Sequence, residues 1–159
     1  MFDRARQRRR NLTEDLRRLP LLAPAPERQL VALARVADVL VLPEGFRLVT
    51  EGQRVREFFA VIEGEVAVRA RWHTVRVLGP GDWSGVLGAL RGGTSETTLV
   101  TITPARVLSL GIRELRAALD TVDGFARRLL TDVADDQPAA PARLELATVG
   151  GEPVLRQGA

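Results

Sequence analysis

Only one histidine, His73, and no cysteine occur among the 159 residues. The chain therefore cannot assemble a thiolate nucleophile, a disulfide or a metal centre built from several histidines. A Ser/His/Asp arrangement would have a single imidazole to draw on. His73 stands between Trp72 and Thr74 in a predicted hairpin turn, which is a surface setting. The neighbouring carboxylates Asp135 and Asp136 fall in a hydrophilic stretch, and paired carboxylates alone are not an active site. The residues thus indicate no enzyme, no catalytic group and no metal. What remains is the chemistry of arginine, whose planar fork suits bidentate phosphate contacts. All 23 basic residues are Arg. Because that replacement is uniform along the whole chain, it reads more simply as the codon usage of a GC-rich genome. The net charge of +3 is too modest to indicate nucleic-acid binding by itself.

The elements that must position any such chemistry follow from periodicity. Length and composition, 45% hydrophobic and 27% charged, fit one globular domain. No window approaches the roughly 18 consecutive apolar residues of a membrane helix, so a cytoplasmic protein without membrane contact is expected. Residues 1–11 form a basic arm, Met1 to Arg10 carrying five Arg against one Asp. Such a run reads either as an arm for nucleic acid or an acidic partner, or as a solvated terminus. Asn11 and Thr13 are N-cap candidates for a short helix through Leu12, Leu16 and Leu19, stopped at Pro20. A second helix starts near Pro26 and carries Leu30, Leu33 and Val36 at helical spacing.

After Ala37 the period shortens. Apolar runs at Val39–Leu42, Phe46–Thr50, Phe58–Ile62, Val66–Ala70, Val75–Leu78, Leu99–Thr103 and Val107–Leu110 alternate with turns rich in glycine. Seven short strands spaced about eight to twelve residues apart indicate a mainly β, rolled antiparallel structure of jelly-roll type. Gly45, Gly52, Gly64 and Gly81 stand where tight turns need a positive φ or no Cβ. Helical spacing returns at Ile112, Leu115 and Leu119, then at Val122, Phe125, Leu129 and Val133, with Asp120 or Thr121 as the cap of the second segment. The domain is expected over 12–134. Residues 135–159, rich in Pro, Ala and Gly, read as a disordered tail in which a brief strand at Leu144–Val149 stays open.

The stretch Leu42-Pro43-Glu44-Gly45-Phe46-Arg47-Leu48-Val49-Thr50-Glu51-Gly52, followed by Phe58-Phe59-Ala60-Val61-Ile62-Glu63-Gly64-Glu65-Val66-Ala67-Val68, closely resembles the cyclic nucleotide-binding domain. That family includes catabolite activator-type regulators, protein kinase A regulatory subunits and some channels. The likeness continues at Val77-Leu78-Gly79-Pro80-Gly81-Asp82-Trp83 and covers about residues 12–134. It implies a β-roll with N-terminal helices and a C-terminal helical pair. It also implies a phosphate-binding cassette, here degenerate, spanning Trp83, Ser84, Gly85, Val86, Leu87, Arg91, Thr94, Ser95, Thr97 and Thr98. Family members hold the ribose with a Glu and the cyclic phosphate with an Arg and helix amides. Those two positions fall here on Val86 and Ser95, with Glu96 beside the latter.

A charge-assisted hydrogen bond contributes about 1.5–3 kcal/mol, and losing a buried charged partner costs about 2–5 kcal/mol. Loss of the Arg alone corresponds to about two to three orders of magnitude in affinity. The glycine-rich helix start and the hydroxyls can still attract an anion, and Arg91 is the one residue placed to substitute. The expectation is a regulatory module that does not take cyclic AMP or cyclic GMP in the usual mode. The alternatives are a true sensor using Arg91 and backbone amides, and a catabolite activator-type regulator without its own helix-turn-helix. Signalling through the C-terminal helices would involve Leu119, Val122, Phe125 and Leu129, toward a protein partner or a second copy of the chain. No specific DNA binding is expected, because no paired amphipathic helices follow the roll.

Overall fold

The computed structural model describes residues 11–135, 144–149 and 152–157. Most of the predicted basic arm lies outside them. Helix α1 runs through residues 11–17, followed by α2 (Glu27–Leu33). The strands of the roll are β1 (Asp38–Leu42), β2 (Arg47–Val49), β3 (Glu57–Glu63), β4 (Val66–Ala70), β5 (His73–Leu78) and β6 (Trp83–Ser84). After α3 (Val86–Arg91) come β7 (Thr98–Thr101) and β8 (Ala105–Gly111), then α4 (Ile112–Thr121) and α5 (Phe125–Asp135). Two four-stranded antiparallel sheets form the roll, in the orders β1-β8-β3-β6 and β2-β7-β4-β5. The predicted antiparallel roll with flanking helices is the observed fold.

Strand β3 explains how the two layers of core arise. Its Phe-Phe-Ala-Val-Ile run lacks polar alternation because both of its faces are covered. Phe58, Ala60 and Ile62 join Leu108 and Leu110 of β8 beneath the helices, against Leu16, Leu30, Leu115, Phe125 and Leu129. The intervening Phe59 and Val61 pack inside the roll with Leu42, Val66, Leu78, Leu99 and Val107. The two-residue period of a strand assigns successive side chains to opposite cores. Phe58 is the hinge of the outer core, its ring edge-on to Phe125 at 6.5 Å.

Polar ties anchor the helices. Arg106 of β8 donates to the buried Asp15 of α1, and Arg18 reaches Glu63 of β3 at 2.5 Å. Arg128 of α5 donates from Nε to the Leu21 carbonyl at 2.6 Å and from Nη2 to the Asp123 carbonyl at 3.0 Å. Burial, and secondarily the neighbouring Arg127, lowers the Arg128 pKa from its ordinary value. Gly64, with φ 87°, lets the β3–β4 turn lie against the Pro104 carbonyl, where a Cβ would collide. Gly45, Gly52 and Gly81 also have positive φ.

Several local expectations are corrected. Asn11 and Thr13 lie within α1, not at its cap. The β4–β5 hairpin turns at Arg71 and Trp72, and His73 pairs with Ala70 as the first residue of β5. Arg71 holds φ 56°, and its N–H donates to Glu51 Oε2 at 2.8 Å. The second C-terminal helix starts at Phe125, since Val122 is extended and Gly124 takes φ 72°. Thr121 does not cap that helix; its hydroxyl donates back to the Ala117 carbonyl at 2.7 Å.

Within the expected tail the strand left open at Leu144–Val149 is present and has a partner, while residues 136–143 lie outside the described ones. Strands β9 (Leu144–Val149) and β10 (Glu152–Gln157) pair antiparallel, and β10 lies against β5. The intervening sequence is Gly150-Gly151, a composition that two-residue hairpins favour. No helix among the described residues is long and apolar enough to cross a membrane.

Candidate functional site

The site is built on Gly85. With φ 95° it turns the chain from β6 into α3, and a Cβ there would stand 2.6 Å from the Glu57 carbonyl oxygen. Only glycine admits so close an approach of this turn to β3. Gly88 likewise lets α3 lie on Val55, where a Cβ would come within 2.7 Å of the valine methyl. Gly92, with φ 73°, ends the helix. The segment beyond it is pinned to the β2–β3 connection: Ser95 N–H donates to the Gln53 carbonyl at 2.8 Å, and Gly52 N–H to the Ser95 carbonyl at 2.8 Å. Val55 N–H donates to the Gly93 carbonyl at 3.1 Å.

These elements enclose a cleft of about 620 Å³ against the inner face of β4 and β5. That volume suits a small-molecule ligand. Trp83, Ser84, Gly85, Val86, Leu87, Arg91, Thr94, Ser95 and Thr97 all line it, so nine of the ten residues expected for the cassette are brought together. Thr98 is not among them. Its Oγ1 accepts the Glu51 N–H at 3.0 Å, outside the cleft.

Within the cleft the side chains differ in what they offer. Val86 is 3% exposed and belongs to the helix-side core. The Ser95 hydroxyl donates to the Thr97 carbonyl at 2.6 Å and accepts the Thr97 N–H at 3.3 Å, so it is engaged by its own loop. Arg91, the last residue of α3, is exposed at the mouth, and so is Glu96. Trp83 packs against Phe58 with ring centroids 6.1 Å apart. Its indole Nε1 donates to Asp132 Oδ2 at 3.3 Å, which links the cleft wall to α5. On the helical pair, Val122, Phe125 and Leu129 are buried and Leu119 is partly buried in the same core.

Sequence reasoning missed Val55, Val68, Leu78 and, above all, Arg76. Leu78 pairs with Val66 and Arg76 with Val68, and directly opposed residues share a face. Val66 and Leu78 lie in the inner core, so Arg76 is on the concave face. The legible signal was phase. Counting in twos back from Leu78 puts Arg76 inside and Val75 outside, and Val75 is indeed exposed. Among the described residues no cluster of His, Cys, Asp or Glu could hold a metal ion.

The chain matches the family model of the cyclic nucleotide-binding domain over residues 39–122, more than half its length. No curated protein matches it by sequence. Among solved structures it is similar to the regulatory subunit of a cAMP-independent protein kinase A from Trypanosoma brucei, at 21% identity and a TM-score of 0.72. That alignment covers 84% of this chain and 49% of that one. A counterpart from Trypanosoma cruzi, described as bound to guanosine, aligns at 22% identity and a TM-score of 0.71, over 84% of this chain and 48% of that one. The chain thus spans about half the length of those subunits. It also aligns with the N-terminal domain of a transcriptional regulator from Streptomyces coelicolor A3(2), at 25% identity and a TM-score of 0.61, over 79% of this chain and 99% of that one. With the roll, the cassette turn and the helical pair in place and the family model matched across them, this chain belongs to the cyclic nucleotide-binding domain family.

Proposed function

We propose that the chain is a non-enzymatic regulatory domain whose cleft does not hold cyclic AMP or cyclic GMP through the usual ribose and phosphate contacts. The state of the cassette carries this reading. Val86 is packed into the core where a ribose-binding Glu would stand, and the Ser95 hydroxyl is taken up by its own loop where a phosphate-binding Arg would stand. The description of the Trypanosoma brucei neighbour as cAMP-independent supports the same direction.

Output passes through α4 and α5. The contact from Trp83 to Asp132 joins the cleft wall to α5 directly, and Leu119, Val122, Phe125 and Leu129 are the packing that a displacement would disturb. The partner is a protein or a second copy of the chain, docked on the outer face of α5, where Leu130 is 68% exposed. The Streptomyces coelicolor neighbour favours a second reading, in which the domain is the sensor half of a transcription regulator.

The test is calorimetric titration of cyclic AMP and cyclic GMP into the wild type and into Val86→Glu/Ser95→Arg. No heat from the wild type up to millimolar ligand is expected. The double variant should gain at least about two orders of magnitude, the weight of the two restored charged contacts. Micromolar binding by the wild type that Arg91→Ala abolishes would overturn the proposal in favour of a sensor that uses Arg91.

A further inference from the structure

Strand β5 carries its charge on the unexpected side. Along His73–Leu78 the register shifts at Val75, which is 43% exposed, while Arg76, opposite Val68, takes the inward position two residues before Leu78. An apolar side chain in water and a guanidinium on the concave face of a roll are each unfavourable. Val66 and Val68, opposite Leu78 and Arg76, hold this register. The Nε of Arg76 is enclosed, and the side chain lines the cleft opposite α3. Desolvating a cation is costly without anionic or hydrogen-bonding neighbours. Arg76 already has an interaction within the chain, but a guanidinium offers five donors and can take a second acceptor.

We infer that Arg76 is the anion-binding group of this cleft, and that the ligand is a small molecule with one phosphate or carboxylate on an aromatic or apolar body. The anion lies on the β5 wall, not at the loop before β7, where Glu96 is exposed and Ser95 is occupied. The body of the ligand rests on Val55, Val68, Leu78 and Val86. Arg91 at the mouth assists entry and contributes less, because solvent screens it. The inference rests on the reading above that the cleft is a binding site without the usual phosphate contacts.

The experiment compares 5′-AMP, an aromatic monophosphate, with adenosine, the same body without charge. Each is titrated into full-length wild type, Arg76→Gln, Arg76→Lys and Arg91→Gln, with a thermal melt of every variant to show that it is folded. 5′-AMP should bind the wild type at least tenfold more tightly than adenosine. Arg76→Gln should weaken 5′-AMP by roughly ten- to hundredfold, the weight of a charge-assisted bond, and leave adenosine unchanged. Arg76→Lys should fall between, keeping the charge and losing the fork. Equal binding of the two probes, or neutral binding that depends on Arg76, would overturn the anion assignment. So would no binding of either probe by a wild type whose Val86→Glu/Ser95→Arg variant gains cyclic AMP, an outcome that leaves the earlier reading intact. Tight cyclic AMP binding by the wild type would instead remove the earlier reading.

Discussion

The two walls of the cleft face each other with different charge. On the α3 wall, Val86 is packed into the core and the Ser95 hydroxyl is hydrogen-bonded to Thr97. On the β5 wall, a position on the concave face that would suit an aliphatic side chain holds Arg76. The backbone of the α3 wall is nonetheless kept, with Gly85 and Gly88 fitting against β3 and Val55. The difference teaches that the scaffold of such a cleft and its ligand chemistry are separable. The scaffold depends on glycine turns and buried packing, while the polar side chains offered to the cleft are few and differ between its walls.

The comparison breaks most completely if the scaffold under the α3 wall is removed. Phe58 is 1% exposed and packs on both Trp83 and Phe125. Phe58→Ala should cost about 3–5 kcal/mol in a denaturant titration, and the cleft should lose its α3 wall. If instead stability falls by less than about 1 kcal/mol, the outer core is not what supports the site.

A narrower substitution sharpens the contrast by moving only the α3 wall. Gly85→Ala must place a Cβ on the Glu57 carbonyl at an unfavourable φ, so a loss of about 1–3 kcal/mol is expected. Amide exchange should rise in α3 and the residues after it, and stay low in β4 and β7. Equal loosening of β4 would show that the walls are not independent.

The smallest effect concerns the link from the cleft to α5. Trp83→Phe keeps an aromatic ring against Phe58 and removes the donor to Asp132. At 3.3 Å and with Asp132 exposed, the bond contributes about 0.5–1.5 kcal/mol. Amide exchange confined to the end of α5 should report the change. No change there would remove Trp83 as the connection between cleft and helix.

Much of the architecture was legible because local chemistry and global fold agree. The Phe58–Ile62 run announced a strand, and the glycine turns announced the roll. The cassette residues could be grouped because they are close in sequence, within one turn, helix and loop. Thr98 fell outside the group because a shift of one residue in a strand reverses its face. The C-terminal hairpin was obscured by the Pro- and Ala-rich segment before it, although Gly150-Gly151 between two alternating runs carried its signal.

By itself, then, the amino-acid sequence determined the class of fold and held too few His and Cys residues for a histidine or thiol centre. Those properties reside in residue types and short spacings. The tertiary structure alone decided that Arg76 faces α3 across the cleft and that Trp83 reaches Asp132. Each depends on register between strands or on contact between segments distant in the chain, and neither is encoded in any local window of sequence.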